Sequence, residues 1–135
     1  MKLFFVTGNL NKLREVREIM GELAPFVEVV GMDLRVKERQ ADSLEEVAAE
    51  AAREAYAKLQ KPLFVEDSGV FIEALKGFPG PYSAYVYRTI GNRGILRLME
   101  GVKDRRATFK SVIALCLNEG EPLLFIGSVE GEVAK

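Results

Sequence analysis

The run Pro62-Leu63-Phe64-Val65-Glu66-Asp67-Ser68-Gly69 constrains the chain more than any other stretch. A short, partly β-branched apolar segment leads into two adjacent carboxylates, a small hydroxyl and a glycine. Apolar runs of this length, bounded by turn formers, predict a buried strand, and Asp67-Ser68-Gly69 predicts the turn that ends it. A carboxylate pair at the mouth of a buried strand is costly unless a hydrogen-bond network, a metal or cleft water offsets the charge. In open α/β sheets, ligand clefts lie beyond the carboxyl ends of strands. The centre of the candidate site therefore falls here, with Asp67 as its leading residue. The plain alternative is a strand-to-turn junction whose acids are simply solvated.

The segments before this run alternate strand and helix. Residues 2–6 read as a strand, residues 7–9 as a loop, and residues 11–23 as a helix. Leu13, Val16, Met20 and Leu23 share one face of that helix, with Ile19 beside them. Residues 26–30 predict a second strand, and a polar, irregular stretch follows to Asp42. Ser43-Leu44-Glu45-Glu46 is a capping box that opens an alanine-rich helix to about Leu59. Its predicted inner face holds Leu44, Val47, Ala48, Ala51, Ala55 and Leu59. The order strand–helix–strand–helix–strand is an α/β pattern. Downstream, residues 70–75 fit a short helix or strand, and residues 77–82 a rigid turn. Ser83 and Asn92 predict the caps of two short helices, the second closed by Gly101. Residues 106–117 and 123–130 predict strands joined by a hairpin turn. Arg105 and Arg106 read as a solvated pair of charges. No internal repeat or linker interrupts the 135 residues, so one domain spanning 1–135 is expected.

Composition excludes several chemistries. The chain contains no histidine, which removes the usual general base and the commonest zinc ligand. Acid–base and metal work then falls to carboxylates, whose hard oxygens favour Mg²⁺ or Mn²⁺. With 19 basic and 20 acidic residues and no basic stripe, a nucleic-acid polymer is not an expected partner. No apolar run is long enough to span a membrane, and a single cysteine, Cys116, allows no internal disulfide. These features together predict a cytoplasmic protein.

Two stretches carry chemistry. Thr7-Gly8-Asn9-Leu10-Asn11-Lys12 joins a strand to a helix. Its glycine permits close approach of backbone, and free N–H groups at the helix start face an anion. Thr7 and Asn9 offer further donors, and Lys12 a point charge for phosphate. The pattern is not a P-loop, and the bland alternative is an ordinary strand–turn–helix with a surface lysine. Glu38, Glu46, Glu66 and Asp67 are the candidate metal ligands. Glu46 already has a role in the capping box, whereas Glu38 lies in a loop with no structural role to explain it. A Mg²⁺ ion held partly by these carboxylates and partly by phosphate oxygens suits a triphosphate substrate. Phe78, Tyr82, Tyr85 and Tyr87 are candidate stacking rings, though such residues more often serve a core or subunit interface.

Three motifs in order then resemble one family. They are Phe4-Phe5-Val6-Thr7-Gly8-Asn9 with Lys12, Val65-Glu66-Asp67-Ser68-Gly69, and Leu75-Lys76-Gly77-Phe78-Pro79-Gly80-Pro81-Tyr82-Ser83. They are similar to those of the inosine triphosphate pyrophosphatase family, house-cleaning hydrolases of non-standard purine nucleoside triphosphates such as ITP, dITP and XTP. The resemblance implies an α/β fold with a mixed, twisted sheet flanked by helices, two lobes and a central cleft. It implies cleavage between the α- and β-phosphates to a nucleoside monophosphate and pyrophosphate. Carried over by position, Thr7, Gly8, Asn9, Leu10, Asn11 and Lys12 would hold the triphosphate, with Ser68 as a further substrate contact. Asp67 would accept a proton and bind metal, and Glu38 would help hold Mg²⁺. A homodimer is implied as well, with residues 78–87 near the subunit contact.

The resemblance also marks a difference. Family members continue beyond this C-terminus with an aromatic–glycine–aspartate–proline segment and a late Ser-His-Arg motif that shape the base pocket. The expectation is thus a triphosphate and metal half-site without its base-reading half, and an unpaired sheet edge near the end of the chain. The alternative function is a nucleotide-binding or assembly module without useful catalysis. A third reading is a pyrophosphatase of modified pyrimidine nucleotides.

Overall fold

The structure, a computed structural model, describes residues 1–34 and 41–135. In chain order the elements are β1 (Lys2–Val6), α1 (Leu10–Leu23), β2 (Glu28–Met32), α2 (Leu44–Leu59) and β3 (Leu63–Ile72). They continue with α3 (Ser83–Thr89), α4 (Gly91–Leu98), β4 (Arg106–Cys116) and β5 (Leu123–Glu132). Short 3-10 turns lie at Glu73–Leu75 and Gly80–Tyr82. The strands form one five-stranded sheet in the order β2-β1-β3-β4-β5. β1 runs parallel to both neighbours, with Phe5 opposite Gly31 of β2 and Phe64 of β3. Six residues join β4 to its neighbour β5, too few for a parallel crossover, so the two form a hairpin. Asn118 Oδ1 accepts the Gly120 N–H at 2.8 Å and shapes that turn. The mixed α/β sheet flanked by helices matches the expected fold class.

The topology reverses direction next to β1. α1 carries the chain from β1 to β2 on one side, and α2 carries it back across β1 to β3. Right-handed crossovers in opposite directions put their helices on opposite faces of a sheet. The switch point lies between β1 and β3, where open α/β sheets place ligands.

Two compact units make up the chain. The first comprises Met1–Arg39, Ala48–Glu66 and Ile113–Phe125. Its centre is Phe5, Val29 and Phe64, on which Leu13, Val16 and Met20 of α1 pack. The Phe5 and Phe64 rings stack with centroids 4.5 Å apart. Such pairs contribute about 0.5–1.5 kcal/mol beyond their buried area. Leu23 shares the apolar stripe by spacing, yet it is 76% exposed. The reason is length: the 14 residues of α1 reach about 21 Å, whereas the five of β1 reach about 17 Å. The last helical turn therefore overhangs the sheet. β2 starts two residues later than expected, because Val27 N–H closes a turn on Ala24 O at 3.0 Å and leaves Phe26 exposed. In α2 the buried line runs through Ala48, Ala52 and Ala55, each fully buried.

The second unit comprises Gln40–Val47, Asp67–Val112 and Ile126–Lys135. Leu44, Ile72, Met99 and Val112 are fully buried within it. The Ser43 hydroxyl accepts the Glu46 N–H at 3.1 Å, as the capping box predicts. Two expectations are corrected here. Asp67-Ser68-Gly69 forms no turn, since β3 continues through it to Ile72. Glycine is required there by a neighbouring backbone: a Cβ on Gly69 would stand 2.3 Å from the Gly80 carbonyl oxygen. Interior strand glycines often mark such close approach. Ser83 is not the N-cap of α3, a position held by Tyr82. Its hydroxyl accepts the Val70 N–H at 3.0 Å and donates to Gly80 O at 2.7 Å, pinning the turn to the strand. Asn92 likewise lies inside α4, whose cap is Ile90.

Arg105 is not a solvated charge. Its guanidinium donates to Met99 O, Val102 O, Val133 O and Ala134 O at 2.6–3.1 Å. Arg106 is exposed, and its guanidinium pairs with Asp104, holding that carboxyl down at about 2. β5 forms one edge of the sheet and is exposed along its length. Among the described residues, no helix is long and apolar enough to cross a membrane.

Candidate active site

The loop leaving β1 reaches the switch point with its shape already set. Thr7 N–H bonds to Met32 O at 2.9 Å, which carries the parallel β1–β2 ladder one step past Val6. Thr7 Oγ1 then accepts the Asn9 N–H at 3.1 Å. Asn9 is the N-cap of α1, and its Oδ1 accepts the N–H groups of Asn11 at 3.0 Å and Lys12 at 3.1 Å. The Thr7 and Asn9 side-chain oxygens act here as acceptors that order the loop, and the backbone N–H groups of Thr7, Asn9, Asn11 and Lys12 are already engaged. What remains for an anion is the positive end of α1, the Thr7 hydroxyl proton, the Asn9 side-chain NH2 and the charge of Lys12. Gly8 brings the backbone against Asp33, where a Cβ would stand 3.5 Å from Oδ2. Leu10 opens the helix and is 77% exposed.

Lys12 does not point freely to solvent. Its ammonium donates to Glu66 Oε2 in a close ion pair. The Glu66 side chain is 14% exposed and that of Lys12 39%. Phe64 pairs with Phe5 across the parallel ladder, so Glu66, within β3, lies level with Thr7, just past the end of β1. Thr7, Gly8, Asn9, Lys12, Asp33 and Glu66 thus gather at one mouth in the first unit. The sequence reading did not single out Asp33. The strand order identifies it, because it follows Met32, the partner of Val6 in parallel register.

Asp67 and Ser68 open the second unit on the same strand. Both are half-buried, and Asp67 Oδ2 is shielded from solvent. Adjacent strand residues point to opposite faces, so the Glu66 and Asp67 side chains leave β3 on opposite sides. Glu38 lies outside the described residues. Among the described residues, no three acidic, histidine or cysteine side chains converge on a metal position. The oxygens these residues offer are hard carboxylate donors, the kind that hard divalent cations take. Glu46 is exposed at the start of α2, and its N–H is held by Ser43. Phe78, Tyr85 and Tyr87 are exposed, at 41%, 48% and 69%.

Comparison with known proteins places these features in context. The chain is 50% identical over 135 residues to a dITP/XTP pyrophosphatase of Methanopyrus kandleri, covering all of this chain and 71% of that protein. It is 49% identical over 134 residues to a dITP/XTP pyrophosphatase of Ignicoccus hospitalis, covering 98% of this chain and 70% of the relative. Among solved structures, the Staphylococcus aureus Ham1 protein superposes with a TM-score of 0.82 at 28% identity, over 99% of this chain and 72% of that one. A HAM1 protein from Coxiella burnetii gives 0.80 at 29% identity, over 98% and 72%. The family model described as the Ham1 family matches residues 3–135, and the chain belongs to that family.

Proposed function

We propose that this chain hydrolyses non-standard purine nucleoside triphosphates (ITP, dITP and XTP) to the nucleoside monophosphate and pyrophosphate, clearing them from the nucleotide pool. One observation carries the reading. A chain half identical to proteins named dITP/XTP pyrophosphatase presents a lysine and a helix N-terminus at the switch point of its parallel strands. That is chemistry suited to a phosphate chain.

In this reading Lys12 and the start of α1 bind the triphosphate, with residues 7–11 shaping the approach and Ser68 adding a contact. Asp67 accepts the proton of the attacking water. That water's oxygen bonds to the α-phosphorus, the bond to the α,β-bridging oxygen breaks, and pyrophosphate leaves. General-base work is the role the family resemblance assigns to Asp67, and its shielded oxygen keeps that carboxylate away from bulk water. A bound Mg²⁺, with Asp67 and Glu38 as its protein ligands, would neutralise phosphate charge and polarise the attacked centre. The proposal includes a homodimer, which sedimentation at working concentration would check.

The test is Asp67→Asn. Loss of the general base lowers turnover by about 10²–10⁴-fold, while the melting temperature stays near that of the wild type. Full turnover in this variant would overturn the assignment.

A further inference from the structure

We infer that Glu66 is a positioning residue that competes with the substrate for Lys12, so that triphosphate binds by partner exchange rather than by adding to a waiting cation. The inference rests on the reading of Lys12 as the phosphate-binding lysine. It begins from an ion pair that this reading does not use. Lys12 stands on the first turn of α1, where its ammonium meets the Glu66 carboxylate from β3. Glu66 is the more enclosed partner, with a side chain 14% exposed against 39% for Lys12.

Three consequences follow from that geometry. The ammonium is held at the mouth of the parallel strands before any ligand arrives, which reduces the conformational entropy lost on binding. A phosphate that takes Lys12 must also break this pair, so part of its attraction is offset by the pair it displaces. Glu66 also sets a negative charge beside the position a phosphate would occupy, and like charge in a partly enclosed site is penalised. Glu66 therefore weakens capture of any polyanion through Lys12 and raises the threshold against anions that engage Lys12 alone.

The experiment is titration calorimetry with inorganic triphosphate and with ITP, in EDTA so that no turnover occurs. It compares wild type, Glu66→Gln, Lys12→Met and the double variant. Glutamine keeps the shape of the side chain and removes its charge, and circular dichroism checks the fold of each protein. Glu66→Gln is expected to bind both ligands about tenfold more tightly than wild type. In the Lys12→Met background the same change should have less than about a threefold effect, because the competition acts through Lys12. Equal or weaker binding by Glu66→Gln overturns the inference and leaves the phosphate-site reading intact. A tenfold gain that persists without Lys12 also overturns it, since the effect would then be general repulsion. Undiminished binding by Lys12→Met with Glu66 intact would remove the phosphate-site reading and this inference with it.

Discussion

Replacing Gly69 with alanine should damage both the fold and the site, and the size of the effect follows from the coordinates. A Cβ at this position would stand 2.3 Å from Gly80 O, 3.0 Å from Gly80 C and 3.1 Å from Ser83 Oγ. The first two are backbone atoms and have little freedom to retreat. Gly80 is also backed by the Phe71 ring, which a Cβ on Gly80 would approach to 2.9 Å. The turn must therefore move away from the strand, at a cost of about 1–3 kcal/mol for overpacking. Moving it stretches the Val70 N–H to Ser83 Oγ bond and the Ser83 Oγ to Gly80 O bond, now 3.0 and 2.7 Å. Losing one of these adds about 1 kcal/mol. The total, roughly 2–4 kcal/mol, corresponds to a fall in melting temperature of about 10 °C for a chain of this length. Asp67 lies two residues away on the same strand, so turnover should fall as well. Gly127→Ala is the matched control: it sits in β5 with nothing within 4 Å of its would-be Cβ, and should leave the melting temperature unchanged. Scanning calorimetry of both variants decides the matter. A Gly69→Ala protein melting within about 3 °C of wild type would refute the close-approach reasoning.

Other outcomes follow from the same structure. The Lys110 ammonium, 2.7 Å from Glu45 Oε1, holds that carboxyl below its usual range. A depressed carboxylate contributes stability above its unfolded pKa and loses it as pH falls through its folded one. Lys110→Met should therefore flatten the acid limb of the stability curve below about pH 4.5, and an unaltered limb would count against the pair. Burial pushes the Cys116 thiol up, so alkylation of the native chain at neutral pH should be slow and should speed up on unfolding. Rapid native labelling would contradict that burial. If residues 1–135 act as one domain, heating should give a single cooperative transition seen alike by circular dichroism and fluorescence of the tyrosines. Separate transitions would assign the two units independent stability.

Much of the architecture was legible before the coordinates, for reasons that differ by region. β1 and α2 were read closely because each carries an unambiguous local signal: a short apolar run in one, a capping box and alanine periodicity in the other. The turn between β4 and β5 was equally clear from Asn118 and Gly120. The errors came where a residue answers to a partner distant in sequence. Gly69 looked like a turn former, but it is a strand residue made necessary by Gly80. Ser83 looked like a cap, but its hydroxyl ties Val70 to the Gly80 turn. Arg105 looked solvated, but it gathers four backbone carbonyls. At the site, Asp67 and the segment from Thr7 to Lys12 were visible as motifs. The Lys12–Glu66 pair and the place of Asp33 beside Gly8 required the parallel register, which no local pattern encodes. Glu38 falls outside the described residues, and its proposed part in holding Mg²⁺ rests on the family resemblance.

The central claim is pyrophosphohydrolysis by this chain, and the direct measurement is pyrophosphate release by the 135-residue protein. It is assayed with Mg²⁺ and with EDTA, on the triphosphates of inosine, xanthosine, adenosine and guanosine, with Asp67→Asn in parallel. Release from inosine and xanthosine triphosphates is expected, requiring the metal and disappearing with Asp67→Asn. A folded chain that binds triphosphate and releases no pyrophosphate from any of them would contradict it, and would favour the nucleotide-binding module instead.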